Sequence, residues 1–185
     1  MTKIKKFLIV FTSMMGLVMA NGPENKKAVF AAGCFWGVES IFQKVDGVEK
    51  TQVGYMNGKT VNPTYESICY ESTGHAEVVN VIYDKSKISF KELCRIFWRL
   101  HDPTTLNRQG PDHGSQYRSA IFYKNEDEKL IAEEVKNESQ KFWKNSIVTE
   151  ITLAKKFYLA EDYHQNYFNK HGINGSGCHY LRVGD

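Results

Sequence analysis

Apolar side chains recur along this chain in two periods, and the points where the period changes outline its elements. The run "VFAA" over residues 29–32 is continuously apolar and reads as a short buried strand. Beyond Cys34, the residues Val38, Ile41, Phe42 and Val45 recur at helical spacing, and Gly47 stops that helix. Residues 48–55 form a second strand candidate, "MNGKTVNP" is a loop by its Asn, Gly and Pro content, residues 64–70 make a short helical turn, and "ESTG" is a turn. Residues 76–83 are rich in β-branched side chains and read as a strand. Ser89 opens a helix with Glu92 three residues on, a capping box, and Phe90, Leu93, Cys94, Phe97 and Leu100 then form one apolar stripe. A strand is expected over 118–123, a long charged helix capped by Asn125 and running to about residue 143, a strand over 148–158, and a last short helix over 161–168. The end, "HGINGSGCHYLRVGD", carries three glycines within six residues and is expected to be loosely held.

From residue 29 to residue 123 the order is strand–helix–strand–strand–helix–strand. This is the split βαβ order. It predicts an α+β two-layer sandwich with a ferredoxin-like βαββαβ core, helices on one face of a mainly antiparallel sheet, and C-terminal extensions.

Residues 1–20 depart from this pattern. "MTKIKK" is a basic head, "FLIVFTSMMGLVMA" is an apolar run of fourteen residues, and Val18 and Ala20 place small residues at −3 and −1 of a cleavage point. The run is short for a membrane span, and the whole has the anatomy of a secretory signal peptide. The alternative is an uncleaved anchor. Export to a periplasmic or other extracytoplasmic compartment is therefore expected, with residues 21–27 as a polar lead-in, 28–170 as the catalytic domain and 171–185 as a flexible tail.

Composition adds less. A chain of 185 residues with 42% hydrophobic positions builds one domain with a core of its own, and a net charge of +3 spread without a basic stripe argues against nucleic-acid binding. Four cysteines, Cys34, Cys69, Cys94 and Cys178, allow three pairings that sequence alone does not choose between.

Their settings differ. Cys34 lies in "GCFWG" where a strand ends and a helix begins. Free N–H groups and partial positive charge there favour a thiolate. Cys94, on an apolar helix stripe, and Cys69, with no glycine neighbour, read as structural. Phe35 and Trp36 are either core residues or the lining of an apolar pocket beside the sulfur, one suited to a methyl group. Cys178, on the glycine-rich tail, is a candidate partner for Cys34, in a cycle where a sulfenic acid condenses with a second thiol. Glu77 sits inside an apolar strand. There it is either a desolvated carboxyl of raised pKa that donates a proton to a departing oxygen, or a solvent-facing residue that the alternation equally allows. Tyr65 follows an Asn-Pro turn, and "QGPDHGSQYRSA" places Asp112, His113, Gln116 and Tyr117 on a loop entering a strand. Phenol groups of this kind can hydrogen-bond a polarised oxygen.

The blocks "GCFWG", "NPTYE", "TGHAE", "HDPT", "QGPDHGSQYRS" and "AEDYHQ" occur in this order. Together they resemble the type A peptide-methionine sulfoxide reductases over roughly residues 27 to 181. The resemblance implies reduction of the S epimer of methionine sulfoxide, free or in oxidised proteins, by a monomer without a resident cofactor. It implies that Cys34 is the nucleophile, Phe35 and Trp36 the methyl pocket, and Glu77 the proton donor. Tyr65 and Tyr117 would bind the sulfoxide oxygen, Asp112 would support them, and Cys178 would be the resolving cysteine. A thioredoxin-like dithiol would then reduce a Cys34–Cys178 disulfide. The tail "HGINGSGCHY" departs from the commonest form of the family.

Three other readings of the residues stand beside it. A cysteine hydrolase would activate Cys34 through His75 or His113 and give Cys178 no role. A metal-binding protein would use Cys178 and His179, without any Cys-x-x-Cys or His-x-x-x-His spacing in support. A non-enzymatic module would hold Cys34 and Cys178 as a staple.

Overall fold

The computed structural model describes residues 25–175, 177 and 179–182. The leader segment expected over 1–20 and the tail cysteine, Cys178, lie outside the described residues. Strand β1 (Asn25–Ala32) shows how the sequence sets the layers. Successive strand side chains point to opposite faces. Ala28, Phe30 and Ala32 enter one buried cluster, while Val29 and Ala31 enter a second. The sheet is therefore covered on both faces. The strand begins at Asn25, so residues 25–27 of the expected lead-in already pair with Ile82, Tyr83 and Asp84.

Helix α1 (Phe35–Phe42) returns across the sheet to β2 (Val48–Met56). Helix α2 (Tyr65–Tyr70), opened by a capping box from Thr64 and Ser67, leads to β3 (Ala76–Asp84). Helix α3 (Phe90–Leu100) carries the expected Ser89–Glu92 capping box and buries its whole apolar stripe. Phe30 of β1 joins these layers, stacking on Phe42 of α1 at 5.1 Å and on Phe97 of α3 at 5.4 Å. Burying side chains of that size stabilises by about 1.5–3 kcal/mol each.

After α3 the chain forms a small hairpin that the sequence did not signal, β4 (Arg108–Gln109) and β5 (Asp112–His113), then a 3-10 turn over Ser115–Tyr117. Strand β6 (Ser119–Tyr123) and helix α4 (Glu126–Gln140) follow. The helix stops short of residue 143 because the Gln140 side chain turns back to the carbonyls of Trp143 and Asn145 and accepts from the Ile147 amide.

The strand expected over 148–158 is two strands. β7 (Glu150–Leu153) joins β6 in parallel at one edge, and β8 (Tyr158–Leu159) joins β2 in antiparallel at the other. Between them the chain crosses the face opposite α1, where Ala154 and Phe157 cover the second cluster. Gly54 makes this crossing possible. A β-carbon there would stand 2.3 Å from the Tyr158 carbonyl oxygen and 2.5 Å from the Phe157 ring. The break follows from this long-range contact, which β propensity along the segment does not encode. The six-stranded sheet runs β7-β6-β1-β3-β2-β8, antiparallel except for the β6–β7 pair. The architecture is a mixed α and β fold built on a mainly antiparallel sheet.

The last expected helix, over 161–168, is also divided. A 3-10 turn (Asp162–His164) is followed by α5 (Tyr167–Lys170), with Asn166 between them at φ 57°. Gln165 breaks the helix by bonding both the N–H and the carbonyl of Val53 in β2. The described part of the tail is held rather than loose. Ser40 donates to the Gly175 carbonyl, His179 is 3% exposed and bonds the Ala32 carbonyl, and Arg99 donates to the Arg182 carbonyl. The glycines leave the backbone free, and these side-chain anchors restrain it.

One buried polar chain ties α3 to β6 and to the residue before β7. The Phe97 carbonyl can only accept, so Nδ1 of His101 carries the proton and Nε2 accepts from the Ser119 hydroxyl. Ser119 in turn accepts from Thr149, and Thr149 accepts from the Trp98 indole. Burial drives the His101 pKa down to about 3, so the ring stays neutral and the chain keeps one direction. Replacing Ser119 by Ala leaves two buried groups without partners. We expect a loss of about 1–3 kcal/mol in urea unfolding at neutral pH, and unchanged stability would contradict this wiring.

Candidate functional site

The site is built where β1 turns into α1. Gly33 makes the turn at φ +92°, and a β-carbon there would lie 2.6 Å from the Gln109 side chain and 3.3 Å from His179 Nε2. Only glycine fits this conformation in this space. Cys34 follows as the N-cap residue of α1, half-buried, at φ −53° and ψ 116°. Its carbonyl accepts the first helical bond, from Val38 at 3.4 Å.

Glu77 reaches the same helix end from β3, where it is paired with Tyr55 of β2 and is 2% exposed. The Phe35 N–H donates to its Oε2 at 3.0 Å. Burial pushes its pKa up to about 8, and the negative charge of Asp112 adds to the rise against the pull of the Phe35 N–H. At neutral pH this carboxyl holds its proton. Of the two orientations that strand alternation allowed, the buried one is found.

The Cys34 thiol behaves differently from the expectation for a helix N-terminus. The backbone N–H groups of Trp36 and Gly37 do favour its thiolate, but burial outweighs them, and Glu77 adds to the rise once it ionises. With Asp112 also opposing ionisation, the pKa rises to about 12. The resting sulfur is a protonated thiol. The helix effect is worth about 1 kcal/mol, and burial beside two acids exceeds it.

Tyr65, the first residue of α2, is fixed by its N–H donating to Glu161 Oε1 at 2.9 Å. Tyr117 closes the 3-10 turn after the β4–β5 hairpin, and Asp112 comes from β5 itself. Burial raises both phenol pKa values. Both hydroxyls therefore remain donors at neutral pH. Phe35 is 1% exposed and belongs to the core, with its ring 6.0 Å from Tyr55 and 5.1 Å from His164. Trp36 is half-buried and stacks on Tyr167 at 3.9 Å. The fold thus gathers Cys34, Phe35, Trp36, Tyr65, Glu77, Asp112 and Tyr117 around one helix end. Cys178 lies outside the described residues.

Sequence reasoning missed three contributors. Cys69, read as structural, stands one turn after Tyr65 on α2, where burial raises its thiol pKa against the opposing influence of the Tyr65 hydroxyl. The i, i+4 spacing from Tyr65 was the available signal. His164 and Glu161 lie in the "AEDYHQ" block, whose density of aromatic and polar side chains was the only cue. Cys94 is fully buried on α3 as expected. His75 is occupied elsewhere, accepting from the Gly58 N–H at 3.1 Å and donating to the Thr60 carbonyl at 2.9 Å. His113 is exposed on β5. Among the described residues no group of three or more His, Cys, Asp or Glu side chains is arranged to hold a metal ion. Nor is any helix of the described residues long and apolar enough to cross a membrane.

Comparison with known proteins gives this geometry a family. The family model for peptide methionine sulfoxide reductase matches residues 26–183. The peptide methionine sulfoxide reductase MsrA of Methanosarcina acetivorans is 56% identical over 154 residues, 82% of each chain. The solved structure of Mxr1 from Saccharomyces cerevisiae in reduced form superposes with a TM-score of 0.81 at 39% identity, over 86% of this chain and 93% of that one. Mxr1 in complex with Trx2 matches with a TM-score of 0.59 at 29% identity, over 91% and 97%. The chain is a member of the peptide methionine sulfoxide reductase family, type A.

Proposed function

We propose that this methionine sulfoxide reductase acts on the S epimer, free or in oxidised proteins, through a Cys34 sulfenic acid. The observation that carries the proposal is the Glu77 carboxyl, 2% exposed and bonded by the Phe35 N–H at the helix end that begins at Cys34, where burial raises its pKa. The Cys34 sulfur attacks the sulfoxide sulfur while Glu77 gives its proton to the sulfoxide oxygen. The oxygen transfers to Cys34 as a sulfenic acid, methionine leaves, and the proton lost by the thiol restores Glu77. The hydroxyls of Tyr65 and Tyr117, with Asp112 in support, hold the oxygen. Trp36 receives the methyl group, with Phe35 packed behind it.

Cys178 then attacks the Cys34 sulfenic acid, a disulfide forms, and water leaves. A thioredoxin-like dithiol reduces that disulfide. The yeast relative solved with Trx2 supports this partner. The strand order, with β6-β1-β3-β2 as the fourth, first, third and second core strands, supports a ferredoxin-like core. The basic and apolar leader supports export to the periplasm or another extracytoplasmic site, where the chain acts as a monomer in protein repair.

Fully reduced protein, given each epimer separately with no reductant, is expected to form about one methionine per chain from the S epimer only. Mass spectrometry should then find Cys34 joined to Cys178. Methionine from the R epimer, or from neither, contradicts the proposal. Cys34→Ser should be inactive. Cys178→Ser should complete one turnover and stall with thioredoxin; full turnover without Cys178 would remove its resolving role.

Glu77→Gln is expected to lower kcat by about 100-fold or more, the scale of a lost general acid. The parent rate should fall above pH 8, because the raised Glu77 pKa keeps the acid form only below that value. This limb should vanish in the variant, and an unchanged rate would remove the role.

A further inference from the structure

The residues on either side of Cys178 lie against elements that meet at Cys34. On one side, a β-carbon on Gly177 would stand 3.3 Å from the Phe168 ring of α5. Helix α5 is itself laid against α1: Tyr167 stacks on Trp36 at 3.9 Å, and Asn169 donates to Gln43 at 3.0 Å. On the other side, His179 is 3% exposed, and its Nε2 stands 2.7 Å from the Ala32 carbonyl oxygen at the end of β1. The same Nε2 would lie 3.3 Å from a β-carbon on Gly33. A carbonyl only accepts, so Nε2 carries the proton of this bond.

The tail beyond His179 has a separate attachment. The Arg182 N–H donates to the Arg99 carbonyl at 3.0 Å, and Arg99 Nε donates back to the Arg182 carbonyl at 2.8 Å. The Arg182 guanidinium also donates to the His101 carbonyl and lies over the Trp143 ring. These bonds hold the tail to the end of α3. His179 instead reaches β1, one residue before Gly33 and two before Cys34. A disulfide requires Cα atoms about 4.4–6.8 Å apart, and neighbouring Cα atoms are about 3.8 Å apart. His179 set against Gly33 therefore brings together the two stretches of chain that the disulfide joins, each one residue from its cysteine. A glycine-rich segment loses much conformational freedom when it is ordered. A bond next to the reacting residue offsets part of that cost before the reaction begins.

We propose that His179 is a positioning residue for the second half of the reaction, its bond to the Ala32 carbonyl setting the tail so that the Cys178 thiol meets the Cys34 sulfenic acid. The inference rests on the reading of Cys178 as the resolving cysteine. In that step the Cys178 sulfur attacks the Cys34 sulfur. An S–S bond forms and the S–O bond breaks. The departing hydroxide takes the thiol proton and leaves as water, so no further oxidant or reductant enters. The bond from His179 goes to a main-chain carbonyl. Oxygen transfer from the sulfoxide, which draws on Glu77, Tyr65 and Tyr117, does not depend on it.

The test follows one turnover of the full reduced chain with S-methionine sulfoxide and no reductant. Methionine formed reports the first step. The Cys34 sulfenic acid, quenched at set times with the cyclic diketone dimedone and identified by mass spectrometry, reports the second. His179→Phe keeps a ring of similar size and removes the donor. It should form methionine within about twofold of the parent rate while its sulfenic acid disappears about tenfold more slowly, the scale of one hydrogen bond. His179→Gln, whose amide N–H can stand where Nε2 stands, should bring the second rate back to within about twofold of the parent. Turnover with excess dithiothreitol, which reduces the sulfenic acid directly, should be the same in all three proteins. Sulfenic acid lost at the parent rate in His179→Phe overturns the proposal. Methionine formation slowed as much as the second step, the mark of a damaged fold, also overturns it, as does His179→Gln as slow as His179→Phe. Cys178→Ser losing its sulfenic acid at the parent rate would overturn the resolving role of Cys178 itself, a failure read from a different variant.

Discussion

The contact on which the rest depends is the Phe35 N–H donating to the Glu77 carboxyl. It satisfies one free amide at the start of α1, locks that helix to the middle of the sheet, and sets an acid beside the residue that follows Gly33. A carboxyl buried there would normally be a cost. The helix end offsets part of it, and retention of the proton offsets the rest. The same burial that keeps Glu77 protonated keeps Cys34 a thiol, so both reactants of a proton-coupled attack rest uncharged. The charge appears only when an oxygen arrives to take the proton, which is where preorganised donors are most effective.

Around this contact the fold acts as a set of braces. β3 carries Glu77, β1 and Gly33 deliver Cys34, the β4–β5 hairpin delivers Asp112, and α2 delivers Tyr65. The segment from Glu161 to Asn166 ties α2, β2 and α1 together. Glu161 caps α2 and binds Tyr55, Gln165 binds β2, and Asn166 binds Glu39 of α1. Elements distant in sequence are held in register by side chains bonding backbone, the arrangement suited to holding catalytic groups within tenths of an ångström.

Much of this was legible in the residues. Hydrophobic period and caps placed the strand–helix alternation from β1 to α4, because those signals are local: Ser89 with Glu92, Asn125, and the apolar stripe of α3. The site core was legible for the same reason, since Gly33, Cys34 and Trp36 sit together in one short block. What could not be read was non-local. Residues 148–158 read as one strand, and the approach of Phe157 and Tyr158 to Gly54 divides it. The segment 161–168 has helical composition, and only the bonds of Gln165 to β2 break it. The Cys34 thiol was misjudged because helix position is visible in sequence, whereas burial beside Glu77 and Asp112 is not. Cys69 and His164 were passed over because their neighbours come from other elements.

The central claim is that Glu77 is protonated when substrate arrives. The direct measurement is a carbon-13 titration of the Glu77 side-chain carboxyl in the reduced protein, assigned by its loss in Glu77→Gln. The account predicts a protonated carboxyl at neutral pH and a midpoint at about 8. A carboxyl that is already ionised at pH 6, with a midpoint near the ordinary glutamate value, would contradict it.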